Sequence, residues 1–516
     1  MKEENEEKHL SEDGRKRPRY SGILLHPTSL PGRYGIGDLG RDAWKFIDFL
    51  DEADQSVWQC LPLGPLGSSG SPYQSLSAFA GNILLISPDL LAEDGLLEES
   101  DLADCPDFSP YTVDYEAAAA YKTALLELAY RHFLEKPLPE IQQEYETFIR
   151  RESFWLEDYA LFCSVSEEEG TPDWTSWTPG LAKRRPEALE AAKVRLAQRM
   201  GYYRFTQYLF SRQWDRLHRL ASSRHITLIG DIPIYLSENS ADVWANPELF
   251  ELDSTGHPTD VSGVPPDYFS ATGQLWNNPL YNWPEHKRTG YAWWIARIRR
   301  QVSLTDIVRL DHFRGLEAYW SVPAGEKTAV GGHWCKGPGS DFLKALRSGL
   351  GGRLPMIAED LGIITPPVRA LRDEFGLPGM KVLQFAFDGD ESDYLPYLYD
   401  ENCICYTGTH DNNTTLGWFM ETDEAVRERV RSYLHSDGSD ISWEMIRLAV
   451  SSVARYAIYP LQDVLGYGGD CRMNIPGVAE GNWNWRFTWE ALSPDAAARL
   501  RELNRIYGRS RSRLEG

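Results

Sequence analysis

Short apolar stretches recur along the chain, too far apart for hairpins. They are SGILLH at 21–26, VWQCLP at 57–62, ITLIGDIPIY at 226–235, DIVRL at 306–310, PMIAED at 355–360, MKVLQFAF at 380–387, CICYTGT at 403–409 and AIYPLQDV at 457–464. Their runs are brief and largely β-branched or aromatic, the pattern of strands buried on both faces of a parallel sheet. Between them the apolar spacing changes to helical, as in AWKFIDFLDEA at 43–53, PPVRALRDEF at 366–375, 423–434 and 442–456. Eight strand patterns separated by helical segments predict an α/β fold, a (β/α)8 TIM barrel.

Two intervals exceed one barrel helix. The second loop holds helical patterns at 115–133, 138–145 and 195–221, which predict a mainly helical insertion over 63–215. The third, 236–305, is rich in Gly, Pro and aromatics and poor in periodicity, as lids and binding walls are. Residues 1–19, MKEENEEKHLSEDGRKRPR, carry no apolar run and read as a disordered tail rather than a signal peptide.

Several strand patterns end in acids. Alternation puts Arg309 and Asp311 on one face of 306–310 and sets Glu359 at the end of 355–359. His410-Asp411 closes the 403–411 segment, and Asp231 follows the apolar half of 226–235. A single Arg–Asp pair could be a structural ion pair. Acids at four strand ends instead fit a barrel active site, which is assembled from the carboxyl ends of several strands.

The 516 residues carry a net charge of −23 and show no basic stripe, which argues against a nucleic-acid partner. No stretch approaches the ~18 apolar residues of a membrane helix. The seven cysteines include no CxxC pair and read as reduced thiols of a cytoplasmic protein. Gly35, Gly37 and Gly40 form a GxGxxG, yet two prolines separate it from the first strand and no acid ends the second, so a dinucleotide site is disfavoured. Without HxH, HExxH or GxSxG patterns, neither a metal hydrolase nor a serine nucleophile has support, and no metal or other cofactor is expected. The 18 Trp, 26 Tyr and 19 Phe include many near Gly, Pro or Asn, where flat amphipathic rings suit sugars.

The acids fit glycoside chemistry. Arg309 should depress the pKa of Asp311 and suit it to nucleophilic attack; an apolar or anionic setting would raise Glu359 and suit it to general acid work. Asp411 could stabilise developing positive charge. A nucleophile and an acid/base about 5 Å apart would imply retention of configuration.

Several long motifs resemble one family. LHPTSLPGRYGIGDLG, SPYQ at 71–74, GDIPIY at 230–235, PPDYFSATGQLWNNPLYNW at 265–283, RLDHFRG at 309–315, AEDLG at 358–362, GTHDNNT at 408–414 and RMNIPG at 472–477 look like those of the amylomaltases. These disproportionating enzymes are 4-α-glucanotransferases of the α-amylase superfamily. The resemblance implies Asp311 as nucleophile, Glu359 as acid/base and Asp411 as transition-state stabiliser. It implies substrate contacts from Arg309, His312, His410, Asp231, Tyr73 and Ser71, with Tyr268, Phe269, Gln274 and Trp276 guiding the glucan. The implied partners are maltooligosaccharides and α-1,4-glucans, and the implied state is a monomer or homodimer. An α-amylase-type hydrolase would use the same acids, and a glucan-binding protein without catalysis is the reading of another class.

Overall fold

The computed structural model describes residues 18–67, 70–136, 138–266, 270–389, 392–478 and 480–511. Eight parallel strands form one sheet: β1 (Tyr20–Leu24), β2 (Val57–Gln59), β3 (Thr227–Ile232), β4 (Ile307–Leu310), β5 (Met356–Ala358), β6 (Gly379–Val382), β7 (Cys403–Tyr406) and β8 (Tyr456–Pro460). Each pairs with its neighbours in chain order except β5 and β6, which share no ladder, and β8 pairs with β1. The last gap closes where Ala358 N donates to Pro378 O at 3.0 Å. Beside it, Met380 N donates to the Asp360 carboxylate at 2.7 Å, so the sheet is a barrel without free edges.

All eight predicted strands are present, but most ladders stop before their apolar runs do. Residues 380–387 divide into β6 and a 3-10 helix, Leu383–Phe387, and 457–464 into β8 and a short helix, Leu461–Leu465. The residues past each ladder stay buried beneath the barrel-mouth loops, so hydrophobicity cannot mark where pairing ends.

Helix Arg41–Glu52 shows how the outer layer is made. Its apolar residues Ala43, Phe46, Ile47 and Leu50 recur at helical spacing and are buried. Phe46 meets Trp58 of β2 edge-on, with ring centroids 5.0 Å apart. Between β2 and β3 run three long helices, Tyr115–Glu135, Pro139–Glu169 and Ala197–Ser223. The second is far longer than its sequence pattern at 138–145, because charged residues interrupt its apolar stripe up to Gly170, which caps it at φ 73°. A four-stranded antiparallel sheet that sequence periodicity did not reveal joins Gln274–Pro279, Asp260–Val264, Ala318–Pro323 and His333–Lys336, in that order. Its strands come from the loops after β3 and β4, so it stands at the carboxyl end of the barrel.

The glycine loop after β1 is folded on itself. Gly37 N donates to Thr28 O at 2.9 Å, and a Cβ on Gly37 would lie 2.0 Å from Pro27 O. Asp38 takes Gly40 N at 2.9 Å and the buried Lys122 at 3.4 Å. These contacts use the donors a pyrophosphate would need, which makes the GxGxxG structural. Of the tail, residues 1–17 lie outside the described residues, and Arg19 donates to the Ser452 and Tyr507 carbonyls. All seven cysteines are unpaired; Cys60, Cys163, Cys403 and Cys405 are buried, whereas Cys105, Cys335 and Cys471 are only partly so. Among the described residues no helix is long and apolar enough to cross a membrane.

Candidate active site

The site begins inside the barrel. In the β3–β4 register Asp231 lies opposite Arg309, and parallel alternation turns both side chains inward. Arg309 Nη1 donates to both Asp231 oxygens, at 2.8 and 2.7 Å, and Nη2 to Asp311 Oδ1 at 2.9 Å. Tyr73 OH adds a third hydrogen bond to Asp231 at 2.6 Å. Burial pushes the Asp311 carboxyl up to about 6, against the pull of Arg309. The depression expected from the sequence does not occur, because burial outweighs Arg309, which is shared with Asp231, and the charges of Asp231 and Asp411 push Asp311 up further. Asp311 still presents 31% of its side chain to solvent.

Glu359, just past β5, is held by two loops at once. His312 N donates to Oε2 at 2.6 Å and Leu361 N to Oε1 at 2.8 Å. The turn that aims the His312 amide needs φ 53° there, a left-handed conformation anchored where Phe313 N donates to Glu359 O at 3.1 Å. Burial first, then the charge of Asp311, pushes Glu359 up to about 7 in spite of these amides and Arg309. Of the two acids Glu359 is the more strongly disfavoured as an anion, by burial and by the neighbouring Asp311 charge. The His312 ring meets Trp276 edge-on at 4.8 Å, and its Nε2 is buried without a partner among the described residues. Burial, with Arg314 nearby, lowers His312 to about 3, so the imidazole is neutral near pH 7. Trp276 Nε1 donates to Gln274 Oε1 at 3.1 Å.

Asp411 has the opposite electrostatics. Burial alone would raise it, but His410 Nε2, 3.3 Å from Oδ2, and Asn474 Nδ2, donating to Oδ1 at 2.6 Å, hold it well below the usual carboxylate range. In return Asp411 lifts His410 above its ordinary value against the effect of burial. Tyr73 stacks on the His410 ring at 5.2 Å, and Trp483 lies 5.7 Å from Tyr73.

One cleft of about 1710 Å³ is lined by Asp311, Glu359 and Asp411 together with Ser71, Tyr73, Gln274, Trp276, Arg309 and His312. Asp231 and His410 are buried beside that wall, bonded to Arg309 and Tyr73 and paired with Asp411 respectively. Tyr268 and Phe269 lie outside the described residues. The sequence reading did not single out Asn474, or Arg472, which donates to Asp411 O at 3.1 Å. Both lie in the quoted RMNIPG motif, whose polar residues were the available signal. Among the described residues no three His, Cys, Asp or Glu side chains are grouped to share a metal ion.

The family model described as 4-alpha-glucanotransferase matches residues 25–492. The chain belongs to this family. A 4-alpha-glucanotransferase of Synechocystis is 53% identical over 495 residues, covering 95% of this chain and 98% of the relative. One from Thermus thermophilus is 49% identical, covering 94% and 98%. The structure of an amylomaltase from Streptococcus agalactiae in complex with acarbose superposes with a TM-score of 0.92 at 39% identity, covering 95% of this chain and 100% of that one. The (β/α)8 barrel is thus the fold shared with this 4-alpha-glucanotransferase family.

Proposed function

We propose that the protein is a retaining 4-α-glucanotransferase that moves α-1,4-glucan segments between maltooligosaccharides through a covalent glucosyl-enzyme intermediate. The carrying observation is the contrast between two neighbouring acids in one cleft: Asp311, with the Arg309 cation on one oxygen, and Glu359, held by two neutral backbone amides and pushed up by burial, which suits it to carry the proton. Asp311 attacks the anomeric carbon as Glu359 gives its proton to the departing glycosidic oxygen; the C–O bond to the leaving glucan breaks as the bond to Asp311 forms. Glu359, now ionised, takes the proton from the 4-hydroxyl of an incoming glucan, whose oxygen displaces Asp311.

Asp411 stays ionised through the cycle and offsets positive charge at the sugar ring. Neutral His312, whose Nε2 has no partner among the described residues, can donate to or accept from a sugar hydroxyl. Gln274 and Trp276 bring the 236–305 insertion into the cleft wall, and that wall favours glucan over water as acceptor. Unpaired thiols and the acidic charge fit a cytoplasmic protein.

Maltotriose as the sole substrate provides the test. Transfer yields glucose and a ladder of longer maltodextrins, hydrolysis yields glucose and maltose without a ladder, and a binding protein leaves maltotriose intact. Asp311→Asn is expected to abolish the ladder while glucan binding, read by calorimetry, persists; a ladder from that variant would overturn the nucleophile assignment.

A further inference from the structure

The cleft holds an aromatic residue that the proposed cycle does not use. Trp334 lies in the antiparallel sheet, directly opposite Trp320 in the strand register, and lines the cleft while 43% exposed. An exposed Trp is usually loosely held, but this one is not. Trp320 meets it edge-on at 5.2 Å and is itself fixed by Nε1 donating to Ala329 O at 2.8 Å. The Arg314 guanidinium lies over the Trp334 ring, 4.1 Å from its centroid, and Nη1 donates to Ile363 O. The ring is thus clamped between the antiparallel sheet and the loops after β4 and β5.

The position of the clamp relative to the acid follows from the same two loops. His312 N and Leu361 N hold the Glu359 carboxylate, and Arg314 and Ile363 lie two residues further along each loop. The Arg314–Trp334 pair is therefore linked to the acid/base through two short loop segments, lines the same cleft, and belongs to the loops that hold the group acting on the departing oxygen and the incoming hydroxyl.

We propose that Trp334, backed by Arg314, is a stacking platform for a glucosyl unit of the acceptor beyond the one that reacts, and so sets which acceptor lengths are used. This rests on the glucanotransferase reading above. A pre-ordered ring offers a flat apolar face to the C–H face of a sugar with little rotamer entropy left to lose. Arg314 Nε is buried without an acceptor among the described residues, and Arg314 also lines the cleft, so this cation is not fully used within the fold.

The test measures acceptor kinetics at a fixed donor, with glucose and with maltotetraose as acceptor, for the wild type, Trp334→Ala, Trp334→Phe and Trp334→Leu. The ratio of kcat/KM for maltotetraose to that for glucose is expected to fall roughly three- to tenfold in Trp334→Ala, through KM. Trp334→Phe should recover part of that ratio. Trp334→Leu, which keeps apolar volume under Arg314 but no ring, should behave like Trp334→Ala and gives the same reading if the alanine variant fails to fold. An unchanged ratio, or an equal loss for both acceptors, overturns the platform. Loss of the underlying reaction is distinguishable, because it would remove transfer to glucose from the wild type as well.

Discussion

Asp311 and Glu359 differ in what holds their oxygens: a shared arginine for one, two backbone amides for the other. Both are pushed upward by burial, Asp311 to about 6 and Glu359 to about 7, and the order of the two decides where the proton sits. Transfer needs Asp311 ionised and Glu359 protonated. Below about pH 6 Asp311 gains a proton and loses its nucleophilicity; above about pH 7 Glu359 loses the proton it must donate. The kcat/KM profile for maltotriose is therefore expected to be a narrow bell with its maximum between those values. A profile flat over roughly pH 5 to 8 would contradict the assignment. At this scale the sequence pointed to the three acids and Arg309, but not to the sign of the Asp311 shift. That sign depends first on burial at the barrel mouth and then on Asp231, which precedes Asp311 by a whole β–α unit and meets Arg309 only through strand register.

At the scale of elements, the critical junction lies between β5 and β6, where the ring of strands closes. Asp360 takes the Met380 amide at 2.7 Å and Arg372 Nη1 at 2.6 Å, joining the end of β5, the start of β6 and the helix between them. The carboxylate is nearly buried, with 6% of its side chain exposed. Asp360→Asn keeps the shape but removes the charge and leaves part of Arg372 unpaired. It is expected to lower stability by about 1–3 kcal/mol, read as a shift in the urea midpoint. A midpoint within error of wild type would show that the strands close without it. Strand identities were legible because a two-face-buried strand is apolar throughout; strand ends were not, because the mouth residues are equally buried. The antiparallel sheet escaped notice because its residues alternate weakly and part of it follows β4, in a stretch where periodicity marked no element.

For the molecule as a whole, remote segments are tied by buried cations rather than by apolar contact alone. Arg486, 2% exposed, donates to Leu30 O and Gly32 O of the loop after β1 and to Ser109 O of the segment between β2 and β3. Three chain regions thus meet on one guanidinium. Lysine cannot reproduce the planar fork, so Arg486→Lys leaves at least one buried carbonyl unpaired. The variant is expected to lose about 2 kcal/mol of stability, measured by urea unfolding; an unchanged midpoint would mean that water replaces the lost contacts without cost.

The order of strand and helix patterns, the acids at strand ends and the long motifs were determined by sequence alone, because local periodicity and side-chain type act over a few residues. The direction of each acid's shift, which residues stand beside the wall and where Trp334 presents its ring were decided only by tertiary structure. Those properties arise from burial and from charges brought within hydrogen-bonding distance across the barrel, and neither is encoded in any one stretch of chain.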